Sequence, residues 1–175
     1  YTIAKDVKIQ IEFNPASVKE YRLIGYEDRR LNNEDFKDDK KDAGDVGSGH
    51  QVTVFYELVP AKGGFSDSKV DKLKYQEIKV KNSSDIATFK LRYKEPDGDK
   101  SKEMVKVVKS DVYNKENSID YNFGLSVAEF GMLLRDSEYK GTLTYNSVLE
   151  QAKNNIGKDS NGYKAEFIEL VEKAK

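Results

Sequence analysis

Two periodicities divide this chain of 175 residues. Up to about residue 110 apolar residues recur at every second position, and beyond it they recur every three to four. Alternation buries one face of a strand, whereas a 3.6-residue repeat buries one stripe of a helix. Strands followed by helices, segregated along the chain, predict an α+β fold.

In the first part Val7, Ile9, Ile11 and Phe13 alternate with Lys8, Gln10 and Glu12. The same pattern returns in Val52, Val54, Tyr56 and Leu58, and in Ala87, Phe89, Leu91 and Tyr93. Residues 21–27, 75–80 and 103–108 read as weaker strands. Pro96-Asp97-Gly98 supplies turn chemistry between two of the runs, because proline presets one backbone angle and glycine tolerates a positive one. Six short strands with turns between them predict an antiparallel β-sandwich over residues 5–110.

In the second part, residues 118–175, three helices are expected, packed on the sandwich as one unit. Over 119–137, Phe123, Val127, Phe130 and Leu134 share a face, with Leu125, Ala128 and Met132 beside it. That wide apolar surface predicts a helix buried on more than one side. Gly124 and Gly131 lie seven apart, where a missing side chain lets another backbone approach. A second helix follows Thr144 as its N-cap, turns Val148, Leu149, Ala152 and Ile156 inward, and stops at Gly157. A third begins near Asn161, with Tyr163, Phe167, Leu170 and Ala174 on one stripe.

Residues 32–50 follow neither period. They carry Glu34, Asp35, Asp38, Asp39, Asp42 and Asp45, then Gly44, Gly47 and Gly49, and end at His50, the one histidine of the chain. The segment is too polar for a core element and reads as a long surface loop.

Composition narrows the chemistry. A net charge of -1 gives no global attraction to nucleic acid or anionic lipid. The absence of cysteine removes disulfides, thiolate nucleophiles and cysteine-ligated zinc. No apolar run approaches the roughly 18 residues of a membrane span, so no direct membrane insertion by this domain is expected. The chain opens at Tyr1 without an initiator methionine and reads as an excerpt of a longer protein.

The blocks AKDVKIQIEFNP, YRLIGYEDR and EDFKDDKKDAGDVGSGHQVTVFYELVP, then FKLRYKEPDGDKSK, FGLSVAEFGMLLRDSEYKG and GYKAEFIELVEKA, carry a resemblance over nearly the whole length. They resemble the C-terminal region of YfbK-type proteins, bacterial von Willebrand factor type A (VWA) proteins whose tail has no assigned activity. The resemblance implies an export or lipoprotein signal and a VWA domain ahead of this region. It thus implies an extracytoplasmic place, in the periplasm or at the cell surface, anchored to the membrane through a part outside this chain. VWA domains of this kind hold a divalent metal in an Asp-x-Ser-x-Ser loop. Ser66-Asp67-Ser68 and Asp159-Ser160 are the nearest fragments here, and neither matches.

Three functions follow as expectations. The first is a non-catalytic accessory or scaffold domain, without a cofactor, that positions the VWA domain of the same polypeptide or bridges it to another envelope protein. Asp35, Asp38, Asp39, Asp42, Gly44, Asp45, Gly47, Gly49 and His50 would form its contact loop. The second is a calcium-stabilised adhesion module built on the 34–45 carboxylates, since calcium takes six to eight oxygen ligands. Against it, the spacing is not that of an Asp-x-Asp-x-Asp-Gly loop, and Lys37, Lys40 and Lys41 weaken the field. The third is a hydrolase around His50, although no Gly-x-Ser-x-Gly elbow or second-histidine motif accompanies it. The three glycines precede a strand, whereas phosphate cradles lie between a strand and a helix.

Overall fold

The computed structural model describes residues 1–26, 28, 30–32, 34–61, 83–114 and 116–175. The strand expected over 75–80 lies outside these. The described residues fall into two compact units, 1–52 with 56–114, and 53–55 with 115–175.

The first unit is antiparallel β. Its strands are β1 (Thr2–Phe13), β2 (Val18–Ile24), β3 (Gly44–Gly47), β4 (Phe55–Pro60), β5 (Asp85–Lys94) and β6 (Ser101–Lys109), with Phe55, the first residue of β4, counted in the second unit. They form a four-stranded sheet in the order β3-β1-β5-β6 and a two-stranded sheet of β2 and β4. The register sets Ile11 opposite Phe89 and Phe13 opposite Ala87, and it sets Leu91 opposite both Ile9 and Met104. Between β5 and β6 the Gly98 N–H donates to the Glu95 carbonyl at 3.0 Å, closing the hairpin expected there.

The two sheets face each other across Val18, Ile86 and Ala87, with Ile11, Phe13, Leu58 and Val108 packed around them. The Phe13 ring lies 4.5 Å from Tyr21 and 5.4 Å from Tyr56, so one β1 side chain touches both strands of the smaller sheet. The turn after β1 fastens the corner: the Asn14 amide and the Ser17 hydroxyl both donate to the Asp85 carbonyl, at 2.8 and 2.9 Å.

Alternation predicts the inward face correctly near Phe13 but not at the other end of β1. There Ile9 is 48% exposed and Lys8 only 3%. The two-stranded sheet covers the Phe13 end of the larger sheet, and residues 35–45 cover Lys8 from the opposite side, as described below. Val52 and Val54 are exposed and precede β4, because a strand ends where its ladder ends rather than where its alternation does. Gly44–Gly47, inside the segment read as a loop, pairs with β1 as an edge strand. An edge strand needs backbone hydrogen bonds on one side and little apolar surface, so its polar composition hid it.

The second unit comprises α1 (Ile119–Leu134), α2 (Tyr145–Asn154) and α3 (Tyr163–Ala174). The hydroxyl of Ser118 accepts from the Tyr121 N–H to cap α1. Thr144 caps α2 as expected, in a reciprocal box with Ser147. The core holds Val148, Leu149 and Val171, packed by Phe130, Leu133, Phe167 and Ile168. Phe167 meets Phe123 and Phe130 edge-on at 5.5 and 5.6 Å, an arrangement aromatic quadrupoles favour.

Two helical stripes are rotated from their expected positions. On α3 the buried side is Val171 with Phe167 and Ile168, while Tyr163 and Leu170 are exposed. On α1 Phe123, Ser126 and Met132 are buried, while Val127 and Leu134 are exposed. A three-helix unit of this size closes over one flank of α1, and its aromatic residues select the flank carrying Phe123 and Phe130. Gly124 meets the Phe55 ring, with a built Cβ 3.3 Å from its Cζ, whereas none of the described residues lies within 4 Å of such an atom at Gly131.

Candidate functional site

Directly paired residues in an antiparallel ladder point to the same face. Lys8 lies opposite Arg92 and Arg92 opposite Glu103; Lys5 lies opposite Lys94 and Lys94 opposite Ser101. One end of the outer face of the larger sheet thus gathers Lys5, Lys8, Arg92 and Lys94 against a single acid. Like charges so placed repel unless anions are brought to them. Asp39, from residues 35–45, and Asp6, from β1 itself, supply those anions.

The segment turns repeatedly, with the Asp35, Asp38 and Lys41 N–H groups donating to the carbonyls of Asn32, Asp35 and Asp38. Its buried Phe36 anchors it. Asp39 then reaches the sheet: its Oδ1 accepts from Arg92 Nη2 at 2.8 Å and from the Ser101 hydroxyl at 2.5 Å. The Asp39 carbonyl accepts from Lys94 Nζ at 3.0 Å, and the Asp38 carbonyl accepts from the ammonium of Lys8. That bond gives the otherwise buried Lys8 head a partner.

From the sheet side Asp6 completes the clasp. It occupies the irregular stretch of β1 with φ 49°, a left-handed conformation aspartate tolerates better than most residues. Its carboxylate accepts from Lys94 Nζ at 2.6 Å and from the Ala43 N–H at 3.3 Å, while its own N–H donates to Asp45 Oδ1 at 3.2 Å. The hydrogen bond from Lys94 holds the Asp6 carboxyl below the usual range, and Asp6 in turn raises Lys94. Ser101 and then Arg92 hold Asp39 low in the same way. Arg92 keeps one unused donor, since its Nε is buried without a partner among the described residues.

Of the remaining residues of the expected contact loop, Asp42 adjoins the clasp, sharing the Ala43 N–H with Asp6. Asp35 accepts from the Asn32 amide at 3.2 Å and stands 3.8 Å from Lys41 Nζ. The carboxylate of Asp42 takes the next N–H, that of Ala43, at 3.1 Å. Gly44 and Gly47 pair with Val7 and Thr2 as the two ends of β3. Gly49 turns the chain with φ 77°, and the His50 N–H donates to the Gly47 carbonyl at 3.1 Å. The exposed His50 ring lies over Gly47, its Nδ1 2.8 Å from where a Cβ would stand, so a side chain at 47 would displace it.

Chemically this arrangement is a latch. The carboxylates are engaged by ammonium, guanidinium, hydroxyl and amide donors, and among the described residues no three acidic or histidine side chains converge to hold a cation. Reading by sequence located the acidic half but missed the receiving half: Asp6, Lys8, Arg92, Lys94 and Ser101. Lys90, Arg92 and Lys94, alternating along one strand, were the available signal, since period two puts all three on one face.

The family described as "Uncharacterized protein YfbK, C-terminal" matches residues 1–175. The chain is 41% identical over 177 residues to "Uncharacterized protein YfbK" of Escherichia coli (strain K12), a match covering 99% of this chain and 30% of that protein. The chain therefore spans less than a third of the curated relative it matches. No solved structure matches it. The sequence blocks quoted above and the match over the full 175 residues agree, and the chain belongs to the family of YfbK C-terminal domains.

Proposed function

We propose that this domain is a non-catalytic accessory module, exposed outside the cytoplasm, that positions a VWA domain of the same polypeptide or joins it to another envelope protein. The observation that carries this reading is apolar surface left open by each unit. Ile9, Met104, Val105 and Val107 are exposed on the larger sheet, as are Val127, Leu134 and Leu170 on the helices. Scattered apolar residues are ordinary on any surface. Ile9 and Met104, however, both pair with Leu91 in one row, and Val127 and Leu134 lie seven apart on one helix. Grouped exposure of this kind marks surfaces that partners cover.

The latch fits the same role. Loops that make contacts serve better when a scaffold holds their shape. Here Asp38, Asp39 and Asp45 hold residues 35–45 against the sheet while Lys40, Lys41 and Asp42 stay exposed. Sedimentation velocity on a mixture of this domain with the VWA domain of the longer protein tests the reading. A faster-sedimenting complex is expected, weakened by Leu134→Asp or Ile9→Asp; unchanged sedimentation of both components would overturn it.

A further inference from the structure

The edge of the larger sheet at β6 offers a more specific surface. On one side β6 pairs with β5 along its whole length; on the other it has no strand among the described residues. Met104 is 58% and Val105 56% exposed, although they point to opposite faces. A nine-residue edge that is open among the described residues is a template for a further strand.

Its charge is lopsided. β5 and β6 together carry Lys90, Arg92, Lys94, Lys102, Lys106 and Lys109 against Asp85 and Glu103, six cations to two acids, in a chain of net charge -1. Arg92, Lys94 and Lys102 are satisfied by Asp39, Asp6 and Glu95. No carboxylate among the described residues reaches Lys90, Lys106 or Lys109 within ion-pair distance. Lysines on an edge also guard against self-pairing: a second copy docked through β6 would bring its own Lys102, Lys106 and Lys109 to the shared edge. What repels a like strand attracts an acidic one. The clasp is an internal precedent, because the acidic Asp39 already seats on Arg92 and on Ser101, the first residue of β6.

We propose that β6 accepts an extended acidic–apolar segment of a partner protein by strand addition, with carboxylates opposite Lys106 and Lys109 and apolar residues opposite Met104, Val105 and Val107. This deepens the scaffold reading and rests on it, since it names where the partner's strand binds. Backbone hydrogen bonds would supply affinity, and the alternating side chains register and specificity.

The probe is the synthetic octapeptide Thr-Glu-Thr-Val-Glu-Val-Ile-Thr, added to the nitrogen-15-labelled domain and followed by amide shifts. Saturable shifts centred on Met104–Val108 are expected, weakening with salt. The same peptide with lysine for glutamate should bind on the order of tenfold more weakly, as two reversed cross-strand pairs imply. In Lys106→Glu/Lys109→Glu the preference of the two peptides should invert, a result that a misfolded variant cannot give. Absence of shifts in β6 at millimolar peptide, or equal binding of both peptides, would overturn the proposal. If β6 ignores the peptide while the domain still sediments with the VWA domain, the edge assignment fails and the scaffold reading stands. If the peptide binds but the VWA domain does not, the edge takes strands and the VWA partner is wrong.

Discussion

Gly124 and Gly131 sit on the same helix, and the structure predicts different outcomes for one substitution at the two sites. Both lie inside α1, where glycine costs roughly 0.5–1 kcal/mol relative to alanine because it loses more backbone freedom on folding. At Gly131 a built Cβ has none of the described residues within 4 Å, so Gly131→Ala should recover that amount, about 0.5–1 kcal/mol. In a domain of this size such a gain raises the melting temperature by roughly 1–4 °C. At Gly124 the new methyl would stand 3.3 Å from Phe55 Cζ, closer than the ordinary 3.4–4 Å contact. The Phe55 ring is itself held edge-on against Tyr121 at 5.5 Å, so it yields only by loosening that contact. Gly124→Ala should therefore stabilise less than Gly131→Ala, or destabilise. Urea denaturation followed by helical circular dichroism measures both, and a cycle with Phe55→Ala isolates the cause: without the ring, Gly124→Ala should match Gly131→Ala. A destabilising Gly131→Ala, or a Gly124 deficit that persists without Phe55, would refute the packing described.

Further outcomes follow from the core, the caps and the clasp. Val171→Ala, at a fully buried site touching α1 and α2 side chains, should cost about 2 kcal/mol, read from the urea midpoint. Thr144→Ala removes the acceptor of the Ser147 N–H and should cost about 1 kcal/mol, while Thr144→Ser should be nearly neutral. Asp6 and Asp39 have carboxyls lowered by their partners, so the stability they lend is complete above the usual carboxylate range, roughly pH 4. It fades as the pH falls through their lowered values. Proteolysis between residues 35 and 45 should accelerate below that range in the native domain, and Asp39→Asn should show the faster cleavage already at pH 7.

Much of the fold was legible because local pattern and tertiary need coincide. β1 near Phe13, the β5–β6 hairpin and the Thr144 cap each depend on a handful of neighbouring residues. What was not legible depends on how far one layer extends over another. Ile9 and Lys8 exchange their expected exposures because the β2–β4 sheet reaches Phe13 while residues 35–45 cover the other face at Lys8. Leu134 and Leu170 obey helical periodicity and are still exposed, since a stripe's width does not say which part of it a neighbour covers. The candidate site was half visible for a similar reason: a run of aspartates is obvious, whereas the cations receiving them come from strands 30 or more residues away on either side.

Isothermal titration calorimetry of this domain against the VWA domain proposed to share its polypeptide, with and without magnesium, tests the scaffold reading most directly. Micromolar or tighter binding with a negative heat-capacity change, the mark of apolar surface being covered, is the expected result. No heat of binding at any temperature or magnesium concentration would contradict it.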